Sequence, residues 1–226
     1  MRQLVVPVVI SLLQAAPALA QRAEAPPATD AAAVPAEPEC EIHVWPAERF
    51  NAMTTSWLGG GLLDAAIHAD KDRDNRSQMA ATLDPEIQVE ALAALDLAEK
   101  LDLPQSRIVT HVEPLDRKTI NKITTRRSDS QASCYAELIV ADMLFQKNAL
   151  LGRTLQTLFM VRDFEGRTDK PRIYKSWGGN PLKKFPPRAG EDVTEAAQEL
   201  LATFVLNFDE FAANARRSSS GARAGR

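Results

Sequence analysis

Two apolar runs near the middle of the chain constrain its fold more than any other feature. "CYAELIVADMLFQ", Cys134–Gln146, and "RTLQTLFMVRDF", Arg153–Phe164, are rich in aliphatic, β-branched and aromatic residues and are joined by Lys147–Gly152. In the first run Cys134, Ala136, Leu138 and Val140 share one face of an extended chain. The pair predicts an antiparallel hairpin whose connection is longer than two residues. A sheet built on such a hairpin has to bury its apolar face under a second layer.

The last part of the chain supplies that layer. Val193, Ala197, Leu200, Phe204, Phe208 and Phe211 recur at steps of three or four residues, which predicts a helix from near Glu191 to about Ala215 with three aromatic rings on one side. The stripe is expected to lie across the sheet; the alternative is a face for a partner helix or a lipid surface. Glu195, Glu199, Asp209 and Glu210 argue against docking on an anionic bilayer.

Further elements alternate before the hairpin. "CEIHVW", Cys40–Trp45, reads as a strand ended by Pro46. Leu58, Leu62, Leu63, Ala66 and Ile67 have helical spacing behind Gly59–Gly61. Asp84-Pro85-Glu86 is a helix start, followed by a stripe of Ile87, Ala91, Leu95, Ala98 and Leu101. "RIVTHV" predicts a short strand, and Ile173–Trp177 a short edge strand, with "SWGGN", Ser176–Asn180, as the turn beyond it.

The N-terminus reads as a secretory signal. Arg2 precedes an apolar stretch from Leu4 to Leu13 and then Ala18-Leu19-Ala20, a small-x-small cleavage pattern. The stretch is far short of the roughly 20 residues that a spanning helix needs, so no transmembrane span is expected after cleavage. Residues 21–39 hold repeated prolines and few large apolar side chains, and predict a disordered leader. Residues 216–226, rich in Ser, Gly and Arg, predict a disordered basic tail, leaving 40–215 as a single domain.

An exported chain meets an oxidising compartment, where an even number of cysteines favours pairing. Cys40 and Cys134 are the two present. Cys40 lies too far beyond the signal to accept a lipid, and two cysteines cannot form a zinc ribbon. Both begin strand-like runs, so a disulfide is expected, with two buried free thiols as the alternative. Loss of the signal removes Arg2 alone among the charged residues, taking 27 basic residues to 26 against 30 acidic ones. Such a balance does not suit a general nucleic-acid binder.

Motifs for chemistry are sparse. Neither a G-x-S-x-G elbow nor a Walker or Rossmann fingerprint occurs, so no catalytic nucleophile or cofactor is expected. Asp70, Asp72 and Asp74 begin like a calcium loop, but Asn75 and Ala81 stand where a glycine and a closing acid belong. No metal site is expected there, and the segment predicts a solvated connection. His43, His68 and His111 have no metal-ligand spacing. His111 with Glu113 and Asp116 forms a candidate polar site, because a carboxylate could orient an imidazole that titrates near neutrality. Arg117, Lys118, Lys122, Arg126 and Arg127 form a candidate basic patch, with Lys183, Lys184 and Arg188 further along.

The signal, the Pro/Ala leader, the Cys-initiated strand, "CYAELIVADMLF", "GRTLQTLFMVRDF" and "AAQELLATFVLNFDEFA" together resemble uncharacterised exported proteins of alphaproteobacteria. In element order the chain is also similar to small α/β domains of envelope accessory proteins, such as the N-terminal domain of the translocation protein TolB and the penicillin-binding-protein activator lipoproteins. It departs from those lipoproteins in having no cysteine at the cleavage point, and no functional residue carries over.

The expected architecture is an α/β (α+β) two-layer domain: a mainly antiparallel sheet of about four or five strands, with the long C-terminal helix and further helices packed on it. The expected function is that of a non-enzymatic periplasmic binding or envelope-assembly accessory protein, partnered by an envelope protein or an anionic envelope component. The alternative is an exported hydrolase-type enzyme with a site near His111 and Glu113.

Overall fold

The computed structural model describes residues 40–56, 62–165 and 171–224. The signal, the leader and Gly59–Gly61 lie outside the described residues. The elements are β1 (Cys40–Trp45), β2 (Phe50–Thr55), α1 (Leu62–Thr82), α2 (Pro85–Ala93), α3 (Leu97–Leu101), β3 (Arg107–Thr110), α4 (Arg117–Ile120), β4 (Cys134–Asn148), β5 (Gly152–Asp163), β6 (Arg172–Leu182) and α5 (Val193–Ala224).

One mixed sheet of six strands organises them, in the order β3-β1-β4-β5-β6, with β2 also paired to β4. The β4–β5–β6 meander is antiparallel, whereas β1 and β2 lie parallel to β4, one after the other along the same side. β1 covers Cys134–Ile139 and β2 covers Met143–Asn148. The register of β4 against β5 shifts between Val140 and Asp142, at the handover. That extra residue reverses the alternation of β4. Ala136, Leu138 and Val140 before it, and Met143 and Phe145 after it, therefore all enter the same core.

The expected disulfide is present. Parallel register sets Cys40 opposite Cys134, with Cα atoms 4.6 Å apart, inside the usual range for a bridge.

α5 closes the core. Leu200, Phe204, Phe208 and Phe211 are fully buried, and the Phe159 ring meets the rings of Phe204, Phe208 and Phe211 with centroids 5.3–5.8 Å apart. The inner face begins at Ala196, not at Val193, which is 68% exposed. Polar groups fix the docking: Asn207 donates to the Leu155 carbonyl at 2.9 Å and to Thr157 Oγ1 at 3.1 Å. "SWGGN" is not a turn but part of β6, and its Gly178 explains the spacing. A Cβ there would lie 2.0 Å from the Asn207 carbonyl oxygen, so only glycine lets strand and helix approach so closely. α5 continues to Ala224, through residues read from sequence as a disordered tail.

The other helices correct the sequence reading in detail. Ala66 and Ile67 are exposed, and α1 instead buries Asp72, Asn75 and Met79. The aspartate run lies inside this helix, where successive side chains diverge instead of converging on a cation. Asp72 accepts hydrogen bonds from Thr54 N at 3.1 Å and Thr54 Oγ1 at 2.6 Å, tying α1 to β2. The stripe after Asp84 divides into α2 and α3, because Asp96 caps a second start by accepting from Glu99 N.

Candidate functional sites

Strand alternation sends Ile42 and Val44 into the helical core and Glu41, His43 and Trp45 to the opposite face of the sheet. On that face lies the segment 111–133, whose Ile120 packs with Trp45, Ile139 and Met160 as Leu115 closes beside them. Beneath this cover lies a polar network. His111 N donates to the Val44 carbonyl, extending the β1–β3 pairing by one residue and bringing the His111 ring to β1.

The His111 ring stacks on Trp45, centroids 4.2 Å apart and nearly coplanar in orientation at 1°. Its Nε2 is 2.8 Å from His43 Nδ1, and His43 Nε2 is 3.0 Å from Glu41 Oε2. Glu41 also accepts from Ser130 Oγ and Arg107 Nη2. The Ser130 and His43 hydrogen bonds, assisted by Arg107, overcome burial and hold the Glu41 carboxyl down to about 2. Burial pushes the His43 pKa below its ordinary value despite Glu41, and burial followed by His43 does the same to His111.

Proton positions follow. An ionised Glu41 only accepts, so neutral His43 carries its proton on Nε2 and accepts at Nδ1 from His111 Nε2–H. A second buried cluster anchors the cover. Glu137 meets Arg162 Nη1 at 2.5 Å and Arg127 Nε at 3.5 Å, and accepts from Arg127 N at 2.9 Å and Tyr135 Oη at 3.1 Å.

The predicted polar site does not assemble. His111 joins His43, whereas Glu113 is exposed and Asp116 caps α4 by accepting from Lys118 N. The predicted basic patch also disperses. Arg127 is buried with Glu137, Arg126 lies over the Tyr135 ring, and Arg117 pairs with Asp142 at 3.0 Å, leaving Lys118 and Lys122 exposed. Arg126 and Arg127 instead serve groups on the second face of the sheet.

Positive charge converges elsewhere. Lys71 of α1, Lys147 and Arg153 at the ends of the β4–β5 hairpin, and Arg188 after β6 line an open cavity of about 450 Å³ together with Asn148, Ala149, Gly152, Pro186 and Pro187. Lys147 and Arg153 are directly opposed in the ladder. Burial, and then the charges of Lys71, Arg153 and Arg188, push the Lys147 pKa down. Arg188 is the one member of this group that the sequence reading places among the candidate patch residues; basic residues flanking the hairpin turn are the signal that could have added Lys147 and Arg153. Two smaller cavities, of about 170 and 250 Å³, have largely apolar walls, and His111 lines none of the three.

No family model and no curated protein matches the chain. Among solved structures it is similar to an uncharacterised protein at 11% identity, covering 79% of this chain and 90% of that one with a TM-score of 0.28. It is also similar to the hypothetical protein CT253 from Chlamydia trachomatis at 11% identity, covering 76% and 96% with a TM-score of 0.24.

Proposed function

We propose that the protein is an exported, non-enzymatic binding or envelope-assembly accessory protein. The observation that carries this reading is how the His111 imidazole is used. In a hydrolytic triad the carboxylate orients a base whose free nitrogen meets a nucleophile. Here the nitrogen of His43 opposite Glu41 meets another imidazole, and the nearby Ser130 hydroxyl donates to the carboxylate. Glu41, His43 and His111 are engaged with one another and with Ser130 of the cover.

Export is supported by the signal-like N-terminus and by the Cys40–Cys134 bridge, which suits an oxidising compartment. No helix of the described residues is long and apolar enough to cross a membrane. Crosslinking in the native envelope followed by affinity capture tests the reading, and a discrete envelope component is expected. Capture of none, with purified protein hydrolysing ester or phosphoester substrates in a manner abolished by His111→Asn, would overturn it.

A further inference from the structure

We infer that the cavity bounded by α1, the β4–β5 turn and the Pro186–Arg188 segment is a binding site for a phosphoryl-bearing anion, held by Lys71, Lys147, Arg153 and Arg188. The inference rests on the binding reading only in taking the protein to have a ligand.

Like charges directly opposed across a strand pair are destabilising, yet the fold brings Lys147 against Arg153 and adds Lys71 and Arg188. Nearby carboxylates form no direct ion pair with them, although the charge of Arg153 helps to hold the Glu199 carboxyl below its ordinary pKa. Among the described residues none of the four cations has a carboxylate within ion-pair distance, and no acidic side chain lines the cavity. Asp72, next to Lys71, is held by Thr54. Glu199 accepts from the backbone N–H groups of Lys183, Lys184 and Phe185, and Glu191 from that of Arg188.

The site is also partly organised. Arg153 donates from Nη1 to the Pro186 carbonyl at 3.0 Å and from Nη2 to the Lys183 carbonyl. These bonds fix the guanidinium without neutralising it. The cavity, at about 450 Å³, falls within the size range of small-molecule sites. Cations from three separate segments match the several oxygens and multiple charge of a phosphoryl group, which one carboxylate would not satisfy. A diphosphate in solution and a phosphorylated lipid headgroup share this chemistry.

Calorimetry with inorganic pyrophosphate, and sedimentation with phosphatidylcholine vesicles with or without phosphatidic acid, test the site on the mature, disulfide-bonded protein. Pyrophosphate is expected to bind. Lys147→Gln and Arg188→Gln are each expected to weaken it about tenfold, the loss of one charge-assisted hydrogen bond, and Lys122→Gln, in the sheet's cover, to leave it unchanged. Binding to phosphatidic acid vesicles but not to pyrophosphate, with the same dependence on the two variants, supports the site and assigns it a headgroup. Binding to neither, or binding unaffected by either variant in a folded protein, overturns it.

The outcome separates from that of the binding reading. Envelope capture unchanged by Lys147→Gln, without pyrophosphate or vesicle binding, removes the anion site and leaves the binding protein. Pyrophosphate binding alongside His111-dependent hydrolysis removes the non-enzymatic reading and leaves the site.

Discussion

His43 Nδ1 lies 2.8 Å from His111 Nε2, so two imidazoles 68 residues apart share one hydrogen bond beneath the cover of the sheet. Both have pKa values below the ordinary one. The unfolded chain, whose histidines titrate near about 6.5, therefore binds more protons than the native state just below that pH. Stability conferred by the pair is complete above about pH 6.5 and is lost as pH falls toward the folded values, by at most about 1.4 kcal/mol per pH unit for each histidine. Glu41 adds a second loss as pH falls from 4.5 toward about 2. Urea unfolding followed from neutral to mildly acidic pH should show this decline, and the double variant His43→Gln, His111→Gln should flatten it. A wild-type midpoint that rises on acidification would contradict the assignment.

The Cys40–Cys134 bridge closes a loop with a sequence separation of 94. Chain entropy assigns a loop of this size on the order of 4 kcal/mol. Replacing both cysteines with serine should lower the unfolding midpoint, and neither cysteine of the native, non-reduced protein should react with a thiol reagent.

Phe204 and Phe208 are fully buried, whereas Val193 is 68% exposed. Truncation of either phenylalanine to alanine should cost about 3–5 kcal/mol, while Val193→Ala should change stability by no more than about 0.5 kcal/mol. Chemical denaturation of the three variants distinguishes the face that packs from residues that only share its spacing.

How much was legible follows from the range of each interaction. β1, the β4–β5 hairpin and the inner face of α5 were readable because their apolar residues repeat with the period of the element. β2 was missed because Phe50–Thr55 does not strictly alternate apolar and polar residues, and acquires its identity from pairing with β4. α1 was misread because, among its described side chains, two of the three buried ones, Asp72 and Asn75, are polar. The histidine pair depends on β1–β3 pairing, which a search for local spacing does not reveal. Arg126 and Arg127 read as members of a basic patch because Tyr135 and Glu137, their partners in the sheet, belong to a different run.

On the proposed reading, the histidine pair holds the fold and does not act on a ligand. His111→Ala removes the stack on Trp45 and the hydrogen bond to His43, a loss of about 1–3 kcal/mol if His43 is left unsatisfied. Melting temperature and capture of the envelope component, measured on the same variant below its transition, give the most direct test. A lowered melting temperature with capture retained is expected; an unchanged melting temperature with capture lost, or with a hydrolytic activity abolished, would overturn the structural role of the pair.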